Sequence, residues 1–379
     1  MDSSSPAASE SARASFSRHW KTACSSFVLG CLLAITLQVF FFSPISPDPL
    51  ELPRPSSSAP FLPTNSLLQK VTKLGEGFLK NPEDVCVDKE GILYTATRDG
   101  WIKRLHRNES KWEDWRFIED TDTLLGITVT AAGTLIVCDT EKGLLEVGED
   151  GVTVLASHVN GTKIRFADDV IEASDGNLYF SVASTKFGLH DWYLDMLEAK
   201  PHGQLLKYDP SLNMTSIVID GLCFANGVAL STDKDFLVVC ETWKFRCLKH
   251  WLNGEHKGKT EIFIDNLPGG PDNINVAPDG SFWIALLELT SSGFEFVHTS
   301  KASKHVLATF PKLLKRITGM HKKAMVVNVA TNGKIIRNFD DPKGEVMSFV
   351  TSAVEFEDHL YLGSLNSNFI GKLPLNAIA

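Results

Sequence analysis

Apolar and polar residues alternate in short runs along most of this chain, and one offset recurs: an apolar residue in a strand-like run is followed six residues later by a turn position. The pairs are Val85 and Gly91, Ile127 and Gly133, Val170 and Gly176, Val228 and Lys234, and Ile274 and Gly280. Around them the units read strand, acidic or Gly turn, strand, as in Val85-Cys86-Val87-Asp88 before Ile92-Leu93-Tyr94-Thr95. Short strands separated by Asp-Gly turns predict an all-β fold. The turn positions lie 42, 43, 58 and 46 residues apart, the scale of four-stranded propeller blades. A sixth unit follows at Thr351-Ser352-Ala353-Val354, with its turn at Asp358 one residue early. The expectation is a six-bladed β-propeller over residues 66–379, closed by an extra strand from Leu67 to Leu74. Closure would leave no exposed sheet edge.

Two residues before each apolar position stand Glu83, Leu125, Asp168, Asn226 and Asp272. Four of these five carry side-chain oxygens, which a strand core would not select. Equivalent positions of the first strand converge on the axis of a propeller, so these four are expected to meet. Carboxylates held that closely raise one another's pKa unless a cation compensates. Hard oxygen donors with no His or Cys point to calcium, with Asn273 and Asp169 as neighbours able to join or orient the shell. The opposing reading is that Asp and Asn cap turns at these places, as they commonly do.

The first 65 residues break this pattern. An uncharged run from Thr22 to Ser43 follows a head carrying Arg13, Arg18, His19 and Lys21. About 22 apolar residues suffice to cross a bilayer, and the lack of a small-residue exit favours an uncleaved signal anchor over a cleaved signal. Positive charge ahead of the run places residues 1–21 in the cytosol. The remainder then lies in the lumen of the endomembrane system (endoplasmic reticulum or vacuole) or at the cell surface, as a type II, single-pass membrane protein. Sequons at Asn108, Asn160 and Asn213 agree with a glycoprotein. Residues 44–65, rich in Pro and Ser, read as an extended stalk.

Composition narrows the partners. With 43% hydrophobic and 22% charged residues the chain is ordinary for a globular protein, and its formal charge of −9 excludes a basic nucleic-acid footprint. A small-molecule substrate and the membrane are the partners expected. No Cys-x-x-Cys pair exists among the seven cysteines, which argues against zinc, while Cys240 and Cys247 could bridge neighbouring strands. Two insertions stand out. Residues 186–193 carry His190, Trp192 and Tyr193 and read either as a lid over the channel or as a packed surface loop. Residues 289–323 mix lysines with apolar residues, with helical spacing from Pro311 to Ile317.

Three stretches carry a family resemblance: Gly203-Gln204-Leu205-Leu206-Lys207-Tyr208-Asp209-Pro210, Phe224-Ala225-Asn226-Gly227-Val228-Ala229-Leu230-Ser231 and Leu267-Pro268-Gly269-Gly270-Pro271-Asp272-Asn273-Ile274. They resemble strictosidine synthase-like proteins and the adipocyte plasma membrane-associated protein, within the wider group of gluconolactonases, paraoxonases and diisopropylfluorophosphatase. The resemblance implies a calcium site at Glu83, Asn226 and Asp272, with Asp168 where those hydrolases typically carry Asn. It also implies a role for Asp272 as catalytic base or nucleophile.

Two departures qualify what is implied. The glutamate base of strictosidine synthase is matched here by Thr351, and the paraoxonase histidine by Leu125. A hydroxyl with no activating partner does not replace a carboxylate base, so strictosidine formation is not expected. The leading expectation is a calcium-dependent esterase or lactonase. The alternatives are a non-catalytic binding protein with a structural metal, and a synthase-type lyase of alkaloid-like secondary metabolism.

Overall fold

The strand pairing of the computed structural model, which describes residues 7–50, 52–53, 62–289, 291–318 and 323–376, resolves into six four-stranded antiparallel sheets and one short hairpin. In blades one to five the four strands pair in chain order, each blade running from its inner strand outward. The inner strands are Cys86–Val87, Leu124–Val129, Ala167–Glu172, Ala225–Leu230, Gly270–Val276 and, in blade six, Val350–Phe356. Blade six is completed from the other end of the domain, because Thr72–Leu74 pairs with Ile370–Pro374 as its outermost strand. The closing segment expected from Leu67 to Leu74 is thus a 3-10 turn, Leu67–Lys70, followed by a three-residue strand.

The six-residue offset has a local cause. In blade one Asp88 accepts hydrogen bonds from the Glu90 and Ile92 amides, and Gly91 takes φ 80° to close the turn into the next strand. Gly133, Gly176 and Gly280 repeat that left-handed conformation, and Lys234 adopts it at φ 61°. A non-glycine residue pays about 1–2 kcal/mol there. Blade six turns with two consecutive left-handed residues, Glu357 and Asp358, the geometry of a two-residue hairpin. That shorter connection is why its turn position comes one residue early.

Adjacent inner strands approach closely at two glycines. A Cβ on Gly126 would stand 2.6 Å from the Asp168 carbonyl oxygen, and one on Gly227 would stand 2.4 Å from the Ile274 nitrogen. The carboxylates next to the channel positions use this proximity. Asp84 accepts from the Ile127 amide of blade two at 3.0 Å, and Asp169 accepts from the Val228 amide of blade four at 2.7 Å. Cores of apolar side chains fill the spaces between neighbouring sheets, for example Ile127, Val137, Leu145 and Tyr94 between blades one and two.

The turns just described lie at one end of the channel, and both insertions lie at the other, since each joins the second strand of its blade to the third. Residues 187–202 form a 3-10 turn, Leu189–Asp191, and a helix, Trp192–Glu198. The second insertion forms three helices, Ser292–His298, Lys301–Thr309 and Pro311–Thr318, the last matching the helical spacing seen in the sequence. Together they make a cap whose apolar side, including Leu194, Leu197, Phe294, Val297 and Leu307, packs on the propeller. Cys240 and Cys247 are joined by a disulfide across paired strands.

The N-terminal region departs from expectation in two ways. One helix runs from Ala7 through Phe40, so it begins well before Thr22 and ends before Ser43, and its apolar part is His19–Phe40, 22 residues with a mean hydropathy of 2.0. The segment expected as an extended stalk is docked at both of its described ends. Ile45 is buried in the cap core, the Ser46 and Asp48 amides bond to the Glu198 side chain and carbonyl, and the Asn65 and Ser66 amides bond to the Asp340 carboxylate. Prolines keep such a chain extended, but extension does not prevent it from lying along a surface that offers acceptors. Residues 54–61 of that segment lie outside the described residues.

Candidate active site

Glu83, Asp168, Asn226 and Asp272 come together at the capped end of the channel, where they line one cavity of about 400 Å³. All four are at least 95% buried, the deepest being Glu83 at 2% exposure. The backbone that delivers them is irregular, with register shifts between Ala167 and Val170, Ala225 and Val228, and Pro271 and Ile274. Bulges of this kind redirect side chains at the end of a strand. Leu125 occupies the equivalent place in blade two and lines the same cavity.

Hydrogen bonds connect these groups in pairs. Asn226 donates to the Asp272 carboxylate, and the Asn273 side-chain Nδ2 donates to Glu83 Oε1 at 2.7 Å. Three buried oxygens accept nothing: Glu83 Oε2, Asn226 Oδ1 and Asn273 Oδ1. Asn273 therefore belongs with the site as the residue that orients Glu83. Asp169, expected as a neighbour of the shell, instead spends its carboxylate on the amides of Val170 and Val228 and ties blade three to blade four. Thr351 is fully buried, and its hydroxyl donates to the Glu83 carbonyl; it supports the segment leading into strand Cys86–Val87 that carries Glu83, and does not line the cavity.

The electrostatics follow from packing acids out of water. Burial, then the surrounding Asp84, Asp272, Asp168 and Asp169 carboxylates, hold the Glu83 carboxyl well above its usual range. Burial followed by the Asp272 charge does the same to Asp168. The Asp272 carboxyl is pushed up to about 8 by burial, against the hydrogen bond from Asn226. Burial also lifts Asp84 to about 6, although Ser352 and the Ile127 and Val85 amides favour its charged form. Perturbed acids gathered in a cleft are a mark of a functional site.

Apolar side chains make up most of the cavity wall. Phe166 meets Phe224 edge to face and Phe224 lies tilted on Trp243, with ring centroids 5.3 and 4.4 Å apart, and Trp192, Leu289 and Phe349 also line the cavity. Both insertions contribute, through Leu189, His190 and Trp192 from the first and Leu289 from the second, so residues 186–193 lie over the channel while Trp192 also packs on Trp243. Arg98 is the cation on the wall; burial lowers its pKa and Asp122 and Glu83 oppose that. Sequence reasoning missed Arg98, Trp243 and Asp84. Asp84 was legible, since it stands at the same repeat position as Asp169 and Asn273. Arg98 and Trp243 stand in the connections from second to third strand that also hold the insertions, but no period marks them.

Among the described residues, no three His, Cys, Asp or Glu side chains already stand in a metal-holding group. The donor set at the channel mixes carboxylates with amide oxygens.

Family models agree with this architecture: the one described as strictosidine synthase matches residues 168–255, and the one described as strictosidine synthase-like, N-terminal, matches residues 61–105. Protein Strictosidine synthase-like 4 of Arabidopsis thaliana is 34% identical over 358 residues, covering 92% of this chain and 94% of the relative. The chain belongs to the strictosidine synthase-like family. The adipocyte plasma membrane-associated protein of Rattus norvegicus is 32% identical over 373 residues, covering 93% and 99% of the two chains. Solved structures share the fold at much lower identity. A gluconolactonase from Xanthomonas campestris superposes with a TM-score of 0.57 at 15% identity, over 88% of this chain and 96% of its own. A calcium-binding regucalcin from Agrobacterium tumefaciens does so with a TM-score of 0.52 at 13% identity, over 78% and 90%. Thr351, the residue expected at the synthase base position, has its hydroxyl engaged by the Glu83 carbonyl.

Proposed function

We propose that this family member is a membrane-anchored, calcium-dependent hydrolase acting on esters or lactones of small, partly apolar molecules. The observation that carries the reading is a set of buried oxygens at a largely apolar cavity: Glu83 Oε2 and Asn226 Oδ1 on its lining, and Oδ1 of Asn273, which is hydrogen-bonded to Glu83, lack donors, while Asp168 and Asp272 line the same cavity. A buried unsatisfied acceptor costs about 1–3 kcal/mol, and a cluster of acids costs more. A hard divalent cation answers both, and all-oxygen donors with amides among them suit calcium. Glu83, Asn226 and Asp272 would hold the ion, with Asp168 adding charge and Asn273 fixing Glu83. Gluconolactonase and regucalcin neighbours on the same fold agree with the chemistry but do not carry it.

When bound, calcium would polarise the reacting carbonyl oxygen. Asp272 would then take a proton from water, or attack the carbonyl itself, with Asn226 fixing its orientation. Phe166, Phe224, Trp243 and Leu289 would hold the apolar part of the substrate and exclude bulk water. Water would add across the acyl–oxygen bond, giving an acid and an alcohol. Lumenal placement, with glycans on Asn108, Asn160 and Asn213, is part of the proposal; all three asparagines are exposed.

A second reading has its own observation. Leu125 lines the cavity with a group that cannot accept a proton, and the Thr351 hydroxyl is spent on the Glu83 carbonyl outside it, which favours a binding protein whose metal only ties the blades together. The test is hydrolysis of a panel of aryl esters and lactones by the full chain, with and without EDTA, alongside thermal melts. Turnover that vanishes on chelation and in Asp272→Ala supports the hydrolase, and a fully active Asp272→Ala overturns it. A calcium-dependent Tm with no turnover favours the binding protein.

A further inference from the structure

The anchor helix does not lead away from the propeller. Val39 in its last turn is buried, the Phe40 ring meets His305 of the cap helix Lys301–Thr309 with centroids 5.6 Å apart, and Ile45 is buried in the cap core. The chain that follows is fastened to the same cap, with Lys304 donating to the Asp48 carbonyl and Lys301 lying 3.5 Å from the Asp48 carboxylate. Even fully extended, the six residues from Phe40 to Ser46 reach only ~20 Å. A helix that crosses a bilayer and ends at Phe40 therefore holds the capped end of the propeller at the membrane surface.

The outer side of the cap has the chemistry for that position. Its inner side buries Phe294, Val297, Leu307 and Leu314, yet Phe296 is 61% exposed, Phe310 48%, Leu313 42% and Ile317 38%. Leu313 and Ile317 are one turn apart on Pro311–Thr318, where Lys312 and Arg316 are also exposed. Large apolar side chains interleaved with cations are how a helix lies in the headgroup region, with apolar groups at the acyl boundary and cations at phosphate. Left in water, exposed apolar side chains of this size gathered on one cap are an aggregation hazard.

We infer that the cap, through Phe296, Phe310, Leu313 and Ile317, is seated in the headgroup region of the leaflet from which the anchor emerges. The mouth of the acidic cavity, framed by the same insertions, is thereby held at the bilayer surface. Molecules dissolved in that leaflet reach it without crossing bulk water. The inference rests on the membrane-anchor part of the proposed function and is independent of the hydrolase part.

The test uses the full chain in phosphatidylcholine–phosphatidylserine nanodiscs, with Cys24→Ser, Cys31→Ser and Cys86→Ala removing the accessible thiols. An environment-sensitive fluorophore is placed singly at Leu313→Cys, at Phe296→Cys, at Phe27→Cys within the anchor, and at Lys257→Cys at the opposite end of the channel. Quenching by lipid spin-labelled at the headgroup and, separately, by lipid spin-labelled at mid-chain, which reaches residue 27, is then measured. The expected result is strong quenching at 313 and 296, with none at 257. Quenching at 27 but at neither cap position would show that the helix inserts while the cap stands off, and would overturn the inference. Absence of quenching at 27 would remove the anchor itself, and the seating with it.

Discussion

Asp272 offers the sharpest test of the electrostatic reasoning, because the site penalises its charge when no cation is present. Its carboxyl is pushed from 3.8 to about 8, chiefly by burial. A raised carboxyl binds its proton more tightly in the folded protein than in the unfolded chain. Its contribution to stability is therefore fully present below the unfolded pKa and is lost as pH rises towards the folded one. Between pH 3.8 and pH 7 that interval spans about three pH units at ~1.4 kcal/mol each, or roughly 4 kcal/mol. Asp272→Asn keeps the shape and an acceptor for Asn226 while abolishing the proton.

The assay is chemical denaturation of the EDTA-treated full chain in detergent between pH 4.5 and pH 8, for the wild type and Asp272→Asn. The variant should be the more stable at pH 7, by up to about 4 kcal/mol after allowing for the neighbouring acids, with a flatter pH dependence. Saturating calcium should narrow that difference: at 100 times its Kd the ion adds about 2.7 kcal/mol to the wild type, and much less to the variant. A metal-free variant that is no more stable than wild type at pH 7, with an unchanged slope, would refute the argument that burial and crowding dominate this carboxyl.

Other predictions draw on separate parts of the fold. Gly227→Ala should destabilise by more than ~3 kcal/mol, because its Cβ would stand 2.4 Å from the Ile274 nitrogen; a denaturation midpoint equal to wild type would contradict the close approach of blades four and five. In the cap, burial lifts Asp195 to about 6 although Ser184 and Trp243 donate to it, so its contribution declines from pH 4 to pH 6, and Asp195→Asn should remove up to ~3 kcal/mol of that decline in pH-dependent melts. Expression in a eukaryotic secretory host should glycosylate Asn108, Asn160 and Asn213, each Asn→Gln change removing one glycan's mass on a gel; unchanged mobility in all three would contradict lumenal placement.

The repeat made the propeller legible because it is a short-range signal. A left-handed residue closes each turn by donating its amide to the carbonyl three positions back, as Gly91 does to Asp88, Gly133 to Thr130, Gly176 to Ala173, Lys234 to Ser231 and Gly280 to Ala277, and the apolar residue stands three positions before that carbonyl. Equivalent positions in equivalent strands must then point alike, so the convergence of Glu83, Asp168, Asn226 and Asp272 followed from sequence alone. What sequence could not separate was their neighbours. Asp84, Asp169 and Asn273 share one repeat position, yet the first two bond amides of adjacent blades and the third orients Glu83. That difference depends on which residue faces each across a blade boundary. Likewise, nothing local distinguishes a free Pro/Ser-rich stalk from one fastened by Glu198 and Asp340, partners 152 and 275 residues away. The period of the chain determined the ring and the direction of its polar groups, while contacts between segments remote in sequence decided how the cavity is walled, capped and held beside the anchor.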